Sequence, residues 1–245
     1  MFNIKYDLNT IDEKRNIIKN KLFEKSANIK QVDFTQISNS DLYLLYNLYD
    51  EIFLNSWFAE NFKGKITFKF SKQLTRAAGN TTTKKHIEKI KPEEVEFQIK
   101  ISLNHLFNFD KIDRDKYVGG IQANSKLHSL MLVFEHEICH VIEFLICKKS
   151  SCKKEPFKKL IFNLFGQNES THKLVTSREA SFAEYGLVVG NKVTFEFQGK
   201  QIIGIINNIN KRATVMSQNN KGNYIDRNGQ HYIKYYIPLN CLTKI

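Results

Sequence analysis

The stretch Ser125–Ile146, SKLHSLMLVFEHEICHVIEFLI, decides how the rest of the chain is read. It is the most apolar segment of the sequence, and its apolar residues fall on every side of a 3.6-residue period. A helix that is apolar all round belongs in a core. Within it lie His136, Glu137 and His140, in the order His-Glu-x-x-His. Residues four apart share a helix face, so the two imidazoles can converge on one metal ion. Zinc suits imidazole nitrogen and tolerates a tetrahedral site with one position left for water. Glu137 is placed to take a proton from such a water and pass it to a leaving amine. The competing reading is a pair of core histidines satisfied by hydrogen bonds, because polar groups in an apolar helix need partners in either case.

Upstream of this helix, Leu42, Leu45, Tyr46, Tyr49, Ile52 and Phe53 recur at helical spacing, with Ser38 or Ser40 as cap. A short helix is expected from Thr10 to about Ser26. Lys65–Phe70 and Val95–Ile101 alternate as half-buried strands do. A turn-rich stretch with Gly79-Asn80 separates them, and Asp110–Gly120 reads as a charged loop. Downstream, Pro156 suits the first turn of a helix whose Phe157, Leu160, Ile161, Leu164 and Phe165 share a face, and Gly166 supplies its stop. After Leu187 the runs Val193–Phe197, Ile202–Ile209, Ala213–Met216 and Tyr232–Ile237 read as strands of a small barrel. The expected class is α+β: a polar helical extension over 1–35, a mixed domain over 36–185, and a basic all-β barrel over 186–245.

The 245 residues are 42% hydrophobic and 25% charged, enough to bury a core without a disulfide scaffold. Thirty-seven Lys and Arg against 25 Asp and Glu leave a net charge of +12. That excludes an acidic solvating protein and favours a polyanionic partner, nucleic acid ahead of a membrane surface. Half of this charge falls in residues 186–245, where Lys and Arg are opposed only by Glu196 and Asp226. No apolar run reaches the roughly 18–20 residues of a membrane span. Met1–Lys21 is charged throughout, so no signal peptide is expected. Four cysteines, none spaced as CxxC, exclude a four-cysteine zinc ribbon and fit free thiols in a reducing cytoplasm.

Several segments together resemble the SprT-like family, whose eukaryotic members include the Spartan proteases. They run from about Ser40 to Leu174: LYLLYNLYDEIF, KITFKFSKQLTRAAG with its Ala78-Gly79, FQIKISLNHLF, LMLVFEHEICHVIEFL, FKKLIFNLFG and His172. The resemblance implies a zincin-like metalloprotease domain, a zinc cofactor, Glu137 as catalytic base, and a protein substrate at or crosslinked to DNA. In a bacterial cell it implies a nucleoid-associated cytoplasmic protein. The segments VGNKVTFEFQGKQIIGIINNINKRATV and KYYIPLNCL resemble SH3-like or KOW-type barrels, which contact nucleic acids or proteins. A monomer that binds DNA and no membrane is the expected working form.

The third zinc ligand of that family is a His in an HGxxF motif. Aligning its Phe with Phe157 puts Lys153 at the ligand position and Lys154 at the Gly. A protonated lysine cannot ligate zinc. Cys152, one residue away, is the leading candidate for third ligand, and a free thiol in a polar loop is the alternative. Glu143, on the His136–His140 face, is another candidate ligand, and its place one turn past His140 better suits a group that orients that ring or pairs with a base. His86, His105, His128 and His231 are expected at the surface or in caps, and Cys139 and Cys147 as small hydrophobes. Lys148, Lys149, Lys153 and Lys154 form a basic cluster beside the motif. Should the ligand set be incomplete, the second reading is an inactive zincin-shaped protein that binds nucleic acid or a partner through its barrel.

Overall fold

The structure, a computed structural model, describes residues 3–245; Met1 and Phe2 of the N-terminal stretch lie outside the described residues. The chain divides into two compact units. One holds the residues up to Phe107 together with Arg114–Leu174; the other holds Asn108–Asp113 with Val175–Ile245. The division falls ahead of the expected boundary at 185/186. The first unit is mixed helix and sheet, and the second carries a separate antiparallel sheet.

The first unit opens with α1 (Leu8–Lys25), α2 (Asn39–Ile52) and the short α3 (Trp57–Asn61). Ile11, Ile18 and Leu22 of α1 are buried, as are Ile29 and Phe34 beyond it. The described part of 1–35 is therefore integral to this unit's core and is no separate extension, because its apolar stripe packs against α2. Ser38 caps α2, its N–H donating to the Asp41 carboxylate at 2.7 Å. Three strands follow: β1 (Lys65–Ser71), β2 (Gly79–Thr83) and β3 (Glu96–Ser102). Their spatial order is β1-β3-β2, with β1 parallel and β2 antiparallel to β3. The turn expected around Gly79-Asn80 is thus an edge strand. Its Gly-Asn-Thr-Thr-Thr sequence has no apolar alternation to announce it.

A short α4 (Leu103–Phe107) leads to a hairpin of β4 (Lys116–Val118) and β5 (Ile121–Ala123). The charged loop expected over 110–120 contains that first strand. Gly119 and Gly120, at φ 60° and 82°, form the two-residue turn, a conformation that disfavours side chains. The central α5 (Lys126–Cys147) is capped by Ser125, whose hydroxyl accepts from His128 N–H at 3.1 Å. It packs on β2, β3 and the hairpin, with α6 (Glu155–Phe165) alongside. Gly166 ends α6 in the left-handed region. None of the described helices is long and apolar enough to cross a membrane.

The second unit holds α7 (Ser177–Tyr185), β6 (Lys192–Phe197), β7 (Lys200–Ile209), β8 (Arg212–Gln218), β9 (Tyr224–Ile225), β10 (His231–Pro238) and β11 (Thr243–Lys244). Its sheet runs β11-β6-β7-β8-β10-β9. The expected barrel is here an antiparallel sheet with edges at β11 and β9. Leu187, Val193, Phe195, Ile206, Ile209, Val215 and Ile237 form its core. Alternation along β10 sends Tyr235 inward against Phe195 and Tyr236 outward, 60% exposed.

Candidate metal centre

Glu135 fixes α5 where the motif begins. It is fully buried and takes a bidentate ion pair from Arg15 at 2.8 and 2.7 Å. Tyr49 Oη donates to the same carboxylate at 2.8 Å and Gln167 Nε2 at 3.0 Å. Arg15 also donates to the Phe165 carbonyl at 2.7 Å. One carboxylate thereby ties α1, α2 and the end of α6 to the central helix. Glu135, one of three glutamates on this helix, did not stand out in the sequence. Its cation lies 120 positions away in sequence.

The next turn and a half carries the motif. His136 and His140 stack edge-on with ring centroids 5.0 Å apart, and Phe157 of α6 lies 4.9 and 4.3 Å from them. Lys148 ends α5 in the left-handed region at φ 59°, so the chain turns back towards His140. A turn closed by Lys154 N–H on the Ser151 carbonyl at 3.0 Å then leads into α6. This return brings Cys152 to the histidines. His136, His140 and Cys152 each offer one ligand atom, and all three atoms lie within 4.8 Å of one another. Lys153 and Lys154 are exposed and contribute nothing to the cluster.

This donor set suits zinc. Three protein ligands of imidazole and thiolate type leave a fourth tetrahedral position open. Ligands about 2.0–2.3 Å from an ion stand roughly 3.3–3.7 Å apart, so separations of up to 4.8 Å need close by about 1.5 Å at most. His140 Nδ1 meets Ser150 Oγ at 2.7 Å, which leaves Nε2 for a ligand role. Burial drives both rings towards the neutral form that binds metal. It pushes the pKa of His136 down to about 4, with nearby His172 lowering it further, and that of His140 to about 3, with His136 adding to the effect.

Glu137 is 4% exposed and points at β2. Thr81 Oγ1 donates to its Oε2 at 2.6 Å. Gly79 lets the carboxyl approach: a Cβ there would lie 2.5 Å from Glu137 Oε1. Burial raises the pKa of Glu137 to about 7, the Thr81 hydrogen bond opposing it in part. Thr81 was not legible as a site residue because its strand was not.

The remaining expectations divide. His86 is exposed and His231 bonds the Gly222 carbonyl at 2.9 Å. His105 is buried, against the surface or capping role expected of it, and its Nδ1 meets Ser102 Oγ at 2.9 Å. His172 packs its ring 4.8 Å from that of His105 and meets the Arg76 carbonyl at 3.2 Å. Cys139 is buried and Cys147 half-buried.

No protein family, curated protein or solved structure matches this chain.

In the second unit a cavity of about 520 Å³ opens beside the sheet, lined among others by Ile205, Met216, Tyr224, Ile225, Tyr232 and Lys234. The Lys234 ammonium sits 3.8 Å from the centre of the Tyr224 ring.

Proposed function

We propose that the first unit is a zinc-dependent peptidase of the His-Glu-x-x-His type, with His136, His140 and Cys152 as ligands and Glu137 as general base. The observation that carries this reading is the convergence of those three donor atoms on the helix that also holds a buried carboxyl with a raised pKa. A bound zinc supplies Lewis acidity and brings the pKa of a water on it close to neutrality. Glu137, next to the His136 ligand on the same helix, accepts a proton at its carboxylate and returns it to a leaving amine. Thr81 orients that carboxyl. Strand β2, at the sheet edge, offers an unpaired backbone for an extended peptide. The SprT-like resemblance supplies the finer proposal of a substrate at or crosslinked to DNA, and of an SH3-like form for the second unit.

The test is cleavage of a protein crosslinked to single-stranded DNA by wild type and Glu137→Gln, with zinc content measured in both. Glu137→Gln should keep zinc and lose cleavage. Equal rates would end the assignment.

The second unit favours one further reading, that of a binding module. Its residues 186–245 carry half the chain's net charge, and the cavity beside Lys234 lies among them. Lysine and arginine contacts to phosphates release counterions, so binding of the full chain to DNA should weaken steeply as salt rises. Absence of binding at low salt would remove nucleic acid as its partner.

A further inference from the structure

We propose that Glu143 is a positioning residue that assembles the metal site by clamping the return segment 149–152, an inference that rests on the zinc reading above. Glu143 is 3% exposed and lies on α5 close to one turn past His140. Its Oε2 accepts from Ser150 Oγ at 2.5 Å and from Ser151 N–H at 2.9 Å. With its hydrogen given to Glu143, Ser150 Oγ accepts from His140 Nδ1–H at 2.7 Å. The chain of donors has one consistent direction. It fixes the tautomer of His140 and turns its Nε2 lone pair outward as the ligand.

The same two bonds decide where Cys152 goes. Cys152 follows Ser151 directly. Beyond His140 and Glu143, no described side chain hydrogen-bonds to residues 149–152. Glu143 thus holds the ring of one ligand and the backbone next to another. The two ligands are coupled through it, although neither touches the other's element by covalent neighbourhood. The sequence gives Cys152 a position one residue off the family's histidine; the clamp is the device that brings a thiol from that position into reach.

The experiment is a double-mutant cycle on zinc affinity in the full chain, with Glu143→Ala and Cys152→Ser. Alone, Glu143→Ala should weaken zinc binding by about 10–100-fold, the usual effect of losing a group that orients a ligand. Cys152→Ser should weaken it by about tenfold or more in wild type, yet by less than about twofold in the Glu143→Ala background, because groups that act together are not additive. Two readouts go beyond what general destabilisation would move. With cobalt in place of zinc, the thiolate-to-cobalt charge-transfer band should be present in wild type and absent in Glu143→Ala. In the metal-free chain, nitrogen NMR should find His140 protonated at Nδ1 in wild type and not in Ser150→Ala. Glu143→Gln, whose amide oxygen still accepts, should recover part of the affinity.

Equal costs of Cys152→Ser in both backgrounds, or an unchanged cobalt band, would overturn the clamp. If wild type takes up no zinc, the metal reading fails, and the NMR tautomer alone judges the clamp: Nδ1–H lost in Ser150→Ala supports it, an unchanged tautomer overturns it. If Glu143→Ala does not fold, Ser150→Ala, which removes only a hydroxyl, carries the affinity test, and unchanged affinity there overturns the proposal.

Discussion

Glu135 and Glu137 stand two residues apart on one helix, both out of water, and their surroundings differ completely. Glu135 meets a guanidinium through two bonds, a tyrosine hydroxyl and a glutamine amide. Glu137 meets one threonine hydroxyl and the bare backbone of a glycine. A buried carboxylate with a full set of donors and a cation is a structural pin. One left with a single donor has its pKa raised, here to about 7, and can exchange protons at neutral pH. The contrast separates what holds the fold from what is available for chemistry, along one stretch of sequence.

The largest effect should come from breaking the pin. Arg15→Ala leaves Glu135 buried without its cation and should cost about 3–5 kcal/mol in chemical denaturation. Glu137→Gln should cost far less or stabilise, since no ion pair is lost. If Arg15→Ala costs under about 1 kcal/mol, Glu135 is no pin and the contrast fails.

Next comes the metal-free chain in acid. His136 and His140 have folded pKa values of about 4 and 3, below the ordinary 6.5, so as pH falls below 6.5 the unfolded chain takes up protons first and stability drops. Glu137 works in the opposite sense. Its folded pKa of about 7 exceeds 4.5, so between those values the folded state binds its proton and gains stability as pH falls. Removing it by Glu137→Gln should therefore make the loss from pH 7.5 to pH 5 steeper by on the order of 2 kcal/mol. A loss equal to wild type's would show that Glu137 is not held in its neutral form by burial.

How much of this was legible in the sequence follows from the same contrast. Long periodic segments were readable: α2, α5 and α6 carry apolar residues at helical spacing, and Ser38 and Gly166 mark ends of α2 and α6 as capping chemistry requires. β1 and β3 alternate clearly. β2 does not, because an edge strand of threonines buries neither face well, and with it Thr81 was hidden. The three-residue strands β4 and β5 were too short for a period, although Gly119-Gly120 is a hairpin turn signal. α7 carries a reciprocal cap between Thr176 and Glu179, a sequence signal at its start. Within the site, His136, Glu137 and His140 came from spacing alone. Cys152 came from its place next to a family position. Ser150, a small polar residue in a loop, carried no signal at all.

A smaller effect should follow from crowding the poised carboxyl. Gly79→Ala places a methyl against Glu137 Oε1, so the carboxyl must shift. Peptide cleavage should fall by about tenfold, the scale on which a misplaced catalytic group acts, with zinc affinity within about twofold of wild type. An unchanged rate would mean that the Gly79 approach does not set the position of Glu137.

The central claim, that three side chains from α5 and its return segment hold one metal ion, is tested most directly by zinc content and affinity in wild type, Cys152→Ser and Cys147→Ser, measured by chelator competition. The account predicts about one zinc per wild-type chain, affinity lowered by about tenfold or more in Cys152→Ser, and affinity unchanged in Cys147→Ser. Equal affinity in all three proteins would contradict it.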